Sequence, residues 1–134
     1  MDRMPGFRLM DENGESLDSA FLEGMAYVLC FVPDLKEESC RILNDFDNIY
    51  PKLMIRNTPT MAVIPAEPQD ILAVRERFGL RIKLLSDKDG ELAGQCGVDG
   101  TGAVVVGRDC CIASRHTGTD VVDSVYNSVR SMLK

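Results

Sequence analysis

The segment from Met25 to Tyr50 constrains the fold more than any other part of the chain. Residues 27–32, YVLCFV, form an uninterrupted run of apolar and β-branched side chains, which is typical of a strand buried on both faces of a sheet. Pro33 ends this run. After a short polar connection, apolar side chains recur at helical spacing and form one stripe: Ile42, Leu43, Phe46, Ile49, Tyr50 and Leu53. The sequence therefore predicts a buried strand that is followed directly by an amphipathic helix.

Cys40 lies between this strand and this helix, close to the predicted helix start. A thiol at a helix N-terminus meets the positive end of the peptide dipoles and free backbone N–H groups, which lowers its pKa and favours the nucleophilic thiolate. Helical geometry places Cys40 off the centre of the stripe, so its side chain is expected to be more exposed than a core residue. The alternative is an inert thiol at the edge of the apolar face. Asp34 and Glu37 fit a capping pattern in which Glu37 serves the helix start.

The remaining segments predict alternating strands and helices. Strands are expected at residues 7–10, 60–64, 82–85, 103–106 and 111–114, and a connector is expected at 16–23. Helices are expected from about Glu37 to Pro51, at 67–78, at 91–96 and from Asp120 onward, where the stripe is Val121, Val122, Val125, Val129, Met132 and Leu133. A strand–helix–strand crossover makes its two strands parallel. This order predicts an α/β fold with a mixed central sheet and helices on both faces, which is the order of a thioredoxin-like domain.

Composition limits the classes of function. The 134 residues fit a single domain spanning 1–134. A net charge of −6 without any basic cluster argues against nucleic acid or an acidic membrane surface as the main partner. No apolar run approaches the roughly 20 residues that span a bilayer. The first residues, MDRMPGF, lack the apolar segment of a signal peptide, so a cytoplasmic location is expected.

The spacing of the five cysteines, at positions 30, 40, 96, 110 and 111, does not predict a metal site. It contains neither a Cys-x-x-Cys pair nor the paired spacing of a zinc site. The single histidine, His116, has no Ser, Asp or Cys at a spacing that indicates a relay, and it is interpreted as a polar residue at a strand end. No metal and no cofactor are therefore expected. Cys30, in the central strand, is interpreted as a packing residue.

Four segments together resemble the peroxiredoxin family, especially its bacterioferritin comigratory branch. They are PGFRLMDENGESL near the start, FVPDLKEESC at the strand–helix junction, LLSDKDGELAGQCGV in the second half, and the hairpin AVVVGRDCCI. The most specific part is residues 84–93, which are similar to the family's loop and helix before its final hairpin. The resemblance covers nearly the whole chain and implies a thioredoxin-like fold.

This resemblance assigns the peroxidatic position to Cys40. In the family, a Pro, three residues, a Thr, two residues and the peroxidatic Cys occupy the junction, and Pro33 and Cys40 keep the outer spacing. The implied reaction is reduction of a hydroperoxide: the thiolate attacks the O–O bond, giving a sulfenic acid and an alcohol or water, and another thiol restores it. The implied partners are a hydroperoxide and an external thiol reductant such as a thioredoxin-like protein, with a homodimer left open as the assembly.

Two positions depart from the family pattern. Glu37 stands where the family has the Thr that helps to place the peroxide, and a carboxylate beside a thiolate disfavours the charged form. Residues 99–102, DGTG, contain no Arg, whereas the family places one before the strand that opens the final hairpin. They also lack the cis-Pro of thioredoxins, which argues against thioredoxin-type disulfide exchange. Lys36 and Arg41 flank Cys40 and are candidate electrostatic substitutes.

Three further thiols have two interpretations each. Cys96 ends a short helix and is either a resolving thiol for Cys40 or half-buried filler. Cys110 and Cys111 lie in the hairpin turn, at the opposite end of a thioredoxin-like sheet from Cys40, which favours exposed thiols or an intermolecular disulfide over an internal bridge.

The favoured prediction is a thiol-dependent peroxidase that uses Cys40, with Pro33 and Glu37 at its site and Cys96 as the candidate resolving thiol. The alternative is a catalytically degenerate thioredoxin-fold protein that acts as a binding or assembly module, or as a thiol redox sensor. Loss of the Thr and Arg equivalents favours the alternative. Retention of Pro33 and of Cys40 at the helix start favours the enzyme.

Overall fold

The computed structural model describes residues 2–118 and 120–132. Its strands are β1 (Arg8–Met10), β2 (Ser16–Asp18), β3 (Tyr27–Phe31), β4 (Thr60–Ile64), β5 (Lys83–Ser86), β6 (Gly102–Val106) and β7 (Ile112–Thr117). They form one seven-stranded sheet in the order β2-β1-β5-β4-β3-β6-β7. The three central strands β5, β4 and β3 are parallel, and every other neighbouring pair is antiparallel. The predicted mixed sheet is therefore confirmed.

Within the described ranges, four helices cover the two faces of this sheet. They are α1 (Glu37–Ile55), α2 (Pro68–Phe78), α3 (Glu91–Gln95) and α4 (Val121–Met132), and a 3-10 turn spans Ser19–Leu22. One core cluster joins α1, α2 and α4 to one face of the sheet. A second cluster joins α3, the 3-10 turn and the N-terminal segment to the other face. The predicted stripe of α4 is buried at Val121, Val122, Val125 and Val129, whereas Leu133 lies outside the described residues.

The uninterrupted apolar run from Tyr27 onward forms β3, one of the central strands of the sheet. Every residue of β3 is buried, and the same is true of its two neighbours β4 and β6. Successive side chains of a strand point to opposite faces. Cys30 accordingly packs into the α1 side, and Leu29 and Phe31 pack into the α3 side. Because both faces are covered, the strand needs apolar residues at every position.

The predicted end of α1 at Pro51 is wrong, because the helix continues through Pro51 to Ile55. A proline inside a helix has no N–H for the carbonyl four residues earlier, which here belongs to Asp47. Arg81 Nη2 donates to that carbonyl oxygen at 2.9 Å and replaces the missing partner. The Asp47 carboxylate also accepts the backbone N–H groups of Arg81 at 2.6 Å and of Ile82 at 3.0 Å. This contact fixes the middle of α1 against the segment that leads into β5.

The expected connector at residues 16–23 contains the edge strand β2 and the 3-10 turn. The turn between β1 and β2 is held by Asp11, whose carboxylate accepts the N–H groups of Asn13 at 2.8 Å and Glu15 at 2.9 Å. Lys83 Nζ donates to the same carboxylate at 2.7 Å. Burial raises the pKa of Asp11, but these hydrogen bonds and the Lys83 charge outweigh it and hold the pKa below its ordinary value.

Candidate active site

Cys40 is the fourth residue of α1, and its N–H donates to the Lys36 carbonyl at 3.0 Å as part of the first helical turn. Its Sγ donates to the carbonyl oxygen of Leu35 at 3.3 Å. Its side chain is 4% exposed and belongs to the core cluster beneath α1. The expectation that Cys40 is more exposed than a core residue is therefore wrong.

The surroundings of Cys40 favour the neutral thiol. Burial raises its pKa above the ordinary value, the guanidinium of Arg77 acts in the opposite direction, and the carboxylate of Asp34 raises the pKa further. The hydrogen bond to Leu35 also stabilises the protonated sulfur, because a carbonyl oxygen can accept from a thiol but repels a thiolate. Burial thus raises the pKa of Cys40, whereas the helix N-terminus predicts a lowered one.

Cys40 contributes to the wall of a cavity of about 790 Å³ between α1 and the end of α2. Leu35 and Phe78 supply apolar surface to this cavity. Two guanidinium groups also line it, those of Arg41 and Arg77, together with the carboxylates of Glu37 and Glu38. The cavity thus brings together a cysteine, two permanently charged hydrogen-bond donors and an apolar wall.

Sequence reasoning missed Arg77. It lies in the last turn of α2, and its guanidinium stands 5.0 Å from the centre of the neighbouring Phe78 ring. Among the described residues, Arg77 forms no ion pair within 4.0 Å. The apolar pattern predicts α2 as a helix, but a single helix pattern does not specify which polar residue at its end faces another helix. The proximity to Cys40 arises from tertiary packing.

Pro33 and Cys40 do not line the same cavity. Pro33 is exposed and borders a separate space of about 390 Å³, together with Asp99 and Gly100 from the stretch that lacks the family's Arg. Glu37, in contrast, lines the cavity of Cys40. Of the predicted site residues, the structure therefore brings together Cys40 and Glu37 and places Pro33 elsewhere.

The predicted capping box of Asp34 and Glu37 is wrong. The residue that precedes α1 is Lys36, which makes no side-chain capping bond, and Glu37 is the first helical residue. Asp34 instead accepts the Lys36 N–H at 2.9 Å and the Ser39 hydroxyl at 2.8 Å. These bonds hold the pKa of Asp34 below its ordinary value and order the connection from β3 to α1. Glu37 remains near the positive end of the helix dipole, where a carboxylate is favourable.

Cys96 lies on the other side of the sheet from Cys40. It is fully buried in the cluster beneath α3, with its Sγ 3.8 Å from the Met4 sulfur. Burial raises the pKa of the Cys96 thiol to about 11, although Arg115 acts in the opposite direction. The folded arrangement separates the two thiols by the central sheet, so the resolving role of Cys96 stays a prediction that no contact supports.

The other thiols also lie away from the cavity of Cys40. Cys30 is buried within β3, and desolvation raises its pKa far above the ordinary value. Cys110 and Cys111 are half-buried at the turn between β6 and β7. This turn is at the opposite end of the sheet from the start of α1, because Val106 pairs with Tyr27 at the beginning of β3.

The complete fold is similar to that of several solved thiol redox proteins. PrxQ from Xylella fastidiosa superposes with a TM-score of 0.88 at 15% identity, covering 100% of this chain and 98% of that one. Peroxidoxin BcpB from Mycobacterium tuberculosis gives 0.84 at 18% identity, with 98% and 94% covered. A putative thiol:disulfide interchange protein DsbE from Chlorobium tepidum gives 0.85 at 15% identity, with 99% and 96% covered. At such identities the likeness shows the fold, and the predicted thioredoxin-like fold is confirmed.

The sheet order and the arrangement of the helices define a protein of the thioredoxin-like fold class. The model of the AhpC/TSA family matches residues 1–117, and the chain belongs to this family. Among curated proteins, none matches the chain. The peroxiredoxin resemblance is therefore confirmed, and membership supports thiol-based redox chemistry of the peroxidase or thiol–disulfide kind. Within the described residues, no helix is long and apolar enough to span a membrane.

Proposed function

We propose that this chain is a thiol peroxidase that reduces a hydroperoxide through Cys40. The observation that carries the proposal is the cavity that Cys40 shares with Arg77, whose charge acts on the Cys40 thiol. A peroxidatic site needs a sulfur nucleophile, a cation near it and space for the peroxide. These three features coincide at this position, which is also the position that the family pattern assigns.

The proposed reaction starts from the thiolate of Cys40. The sulfur attacks one oxygen of the substrate, an S–O bond forms, the O–O bond breaks, and the leaving oxygen takes up the proton that the thiol gave up. The sulfur becomes a sulfenic acid, and the substrate becomes an alcohol or water. Two equivalents of an external thiol then return the sulfenic acid to the thiol and become a disulfide, with release of water. An external reductant is favoured because the sheet separates Cys96 from Cys40.

Arg77 is the proposed substitute for the Arg that is missing from residues 99–102. Its guanidinium lowers the pKa of Cys40 against the effect of burial. Planar guanidinium groups donate several hydrogen bonds and match pairs of oxygen atoms. In the same cavity, such a group can hold the two peroxide oxygens and stabilise the charge that develops on the leaving oxygen.

The shape of the cavity favours an organic hydroperoxide over hydrogen peroxide as the substrate. Its volume of about 790 Å³ exceeds what hydrogen peroxide needs. Leu35 and Phe78 give it an apolar wall that an alkyl group can cover. We expect a higher second-order rate constant with an alkyl hydroperoxide than with hydrogen peroxide.

The decisive experiment is trapping of the sulfenic acid with a dimedone-type reagent after near-stoichiometric hydroperoxide, followed by intact-mass analysis. We expect rapid labelling of the wild type, loss of labelling in Cys40→Ser, and full labelling in the matched variant Cys96→Ser. Turnover with an external dithiol is expected to persist in Cys96→Ser. Slow labelling, or labelling that does not depend on Cys40, contradicts the peroxidase.

A second candidate function is a binding or assembly module that has lost the chemistry. The hydrogen bond from Cys40 Sγ to Leu35 favours it, because it stabilises the unreactive thiol. The burial that raises the pKa of Cys40 acts in the same direction. The trapping experiment separates the two functions, since a module predicts no Cys40-dependent sulfenic acid on the timescale of turnover.

A further inference from the structure

A third cavity, an open groove of about 530 Å³, lies at the end of the sheet opposite Cys40. Lys52 and Arg56 reach it from the end of α1, Arg108 from the turn between β6 and β7, and Tyr126 from α4. Three separate parts of the chain therefore bring their side chains to one place. The proposed peroxidase reaction does not use this cavity.

The charge of this cavity is positive, although the chain as a whole carries −6. Lys52, Arg56 and Arg108 line it, and no carboxylate from the described residues does so. Among the described residues, none of these three cations forms an ion pair within 4.0 Å. Other cations of the chain do have carboxylate partners, as Lys83 has in Asp11. A local excess of unpaired positive charge around a concave space is complementary to an anion.

The end of a helix explains part of this charge but not all of it. Cations near a helix C-terminus interact favourably with the helix dipole, and Lys52 and Arg56 stand at the end of α1. Lys52 Nζ also lies 5.6 Å from the centre of the Tyr126 ring. Arg108, however, lies in the turn between β6 and β7, so the dipole of α1 does not account for its position. Arg108 therefore adds a third positive charge to the groove from a separate part of the chain, which makes the groove complementary to an anion.

We propose that this cavity binds a small organic anion that carries a phosphoryl group. Two guanidinium groups and one ammonium group match the several oxygens of a phosphate, and Arg binds such oxygens in pairs. Asn57 adds an amide donor to the wall, and Ile55 and Tyr126 provide surface for the organic part. The lining side chains of Lys52, Asn57 and Arg108 are exposed, so an anion can reach them directly from solvent.

The test is a titration of the full chain by isothermal calorimetry or by two-dimensional NMR, with pyrophosphate as the probe and citrate as the carboxylate comparison, at about 0.1 M salt. We expect saturable binding of pyrophosphate that is tighter than that of citrate. Arg108→Gln is expected to weaken it about tenfold, which is the size of one lost charge-assisted hydrogen bond. Arg8→Gln makes the same change of charge on β1, away from the cavity, and is expected to leave binding unchanged.

Lys52→Gln is the second variant and is also expected to weaken binding, and a circular-dichroism melting curve confirms that each variant is folded. Absence of saturable binding overturns the proposal. So does a loss in Arg8→Gln equal to that in Arg108→Gln, because the effect would then be one of overall charge. Binding of citrate as tight as that of pyrophosphate overturns the phosphoryl assignment. None of these outcomes depends on whether Cys40 reacts with peroxide.

Discussion

One group near Cys40 stabilises the thiolate, whereas several features of its surroundings stabilise the neutral thiol. Arg77 lowers the pKa, whereas burial and Asp34 raise it, and the carbonyl of Leu35 accepts the thiol proton. Below its pKa, a thiol gains about tenfold in thiolate with each pH unit. Any nucleophilic reaction of Cys40 should therefore depend steeply on pH and on Arg77.

We expect the alkylation rate of Cys40 by iodoacetamide to rise throughout the range from about pH 7 to about pH 9 without a plateau. Since the pKa is raised, the thiolate is the minor form over that range. Arg77→Gln should slow the reaction several-fold, because it removes the group that lowers the pKa. Peptide mass spectrometry after timed quenching gives the rate for Cys40 alone.

Arg41→Gln is the matched control for Arg77→Gln, because Arg41 lines the same cavity but does not contribute to the shift in the Cys40 pKa. The Arg41→Gln variant should show nearly the same pH dependence of the Cys40 alkylation rate as the wild type. A plateau at neutral pH, or equal slowing by both substitutions, contradicts the assignment of Arg77 as the group that acts on the thiol.

The position of Cys40 was predictable from the sequence, and its environment was not. A buried strand, Pro33 and an apolar helical stripe locate the thiol at a helix start by local pattern alone. Its burial depends on the chain segments that pack around it, including the core beneath α1 and the end of α2. Arg77 is distant in sequence, so no spacing rule connects it to Cys40.

At the scale of elements, α1 shows how a tertiary contact overrides a local signal. Proline normally ends a helix because it leaves a carbonyl without a partner and clashes with it. In α1, Arg81 donates to the carbonyl of Asp47 that Pro51 leaves free. The strands and helices with long apolar patterns were predicted within a few residues. The end of α1 was not, because Arg81 comes from a different part of the chain.

This explanation predicts coupling between Pro51 and Arg81. Arg81→Met should lower the free energy of unfolding by about 1 kcal/mol or somewhat more, the usual size of a hydrogen bond. In the Pro51→Ala background the same substitution should cost less, because the alanine would supply a backbone N–H to the Asp47 carbonyl. Urea unfolding of the four proteins in this double-mutant cycle measures the difference. Equal costs in both backgrounds contradict a role for Arg81 in replacing the lost helical bond.

At the scale of the whole molecule, the central sheet was the most predictable feature and its edge the least. The strands β3, β4 and β6 are buried on both faces, so their sequences are continuous apolar runs that are visible without any contact information. β2 has only three residues, none of them buried. Its formation depends on pairing with β1 and on the turn that Asp11 holds. A polar edge strand of this kind has no periodic pattern to reveal it.

The Asp11 turn joins this edge to β5 through Lys83, and it should make the stability of the molecule depend on pH in the acid range. The pKa of Asp11 is held below its ordinary value in the folded state. Its ionised form therefore stabilises the fold above the unfolded pKa, near 4, and this contribution is lost as the pH falls through the lower folded pKa.

Asp11→Asn should reduce the free energy of unfolding at neutral pH by roughly 2 kcal/mol, since it weakens charge-assisted hydrogen bonds. It should also flatten the loss of stability in acid. Urea unfolding at a series of pH values measures both effects, with the exposed loop substitution Asp99→Asn as the charge-matched control. An Asp11→Asn profile parallel to that of the wild type below about pH 4 would show that Asp11 carries no share of the acid sensitivity.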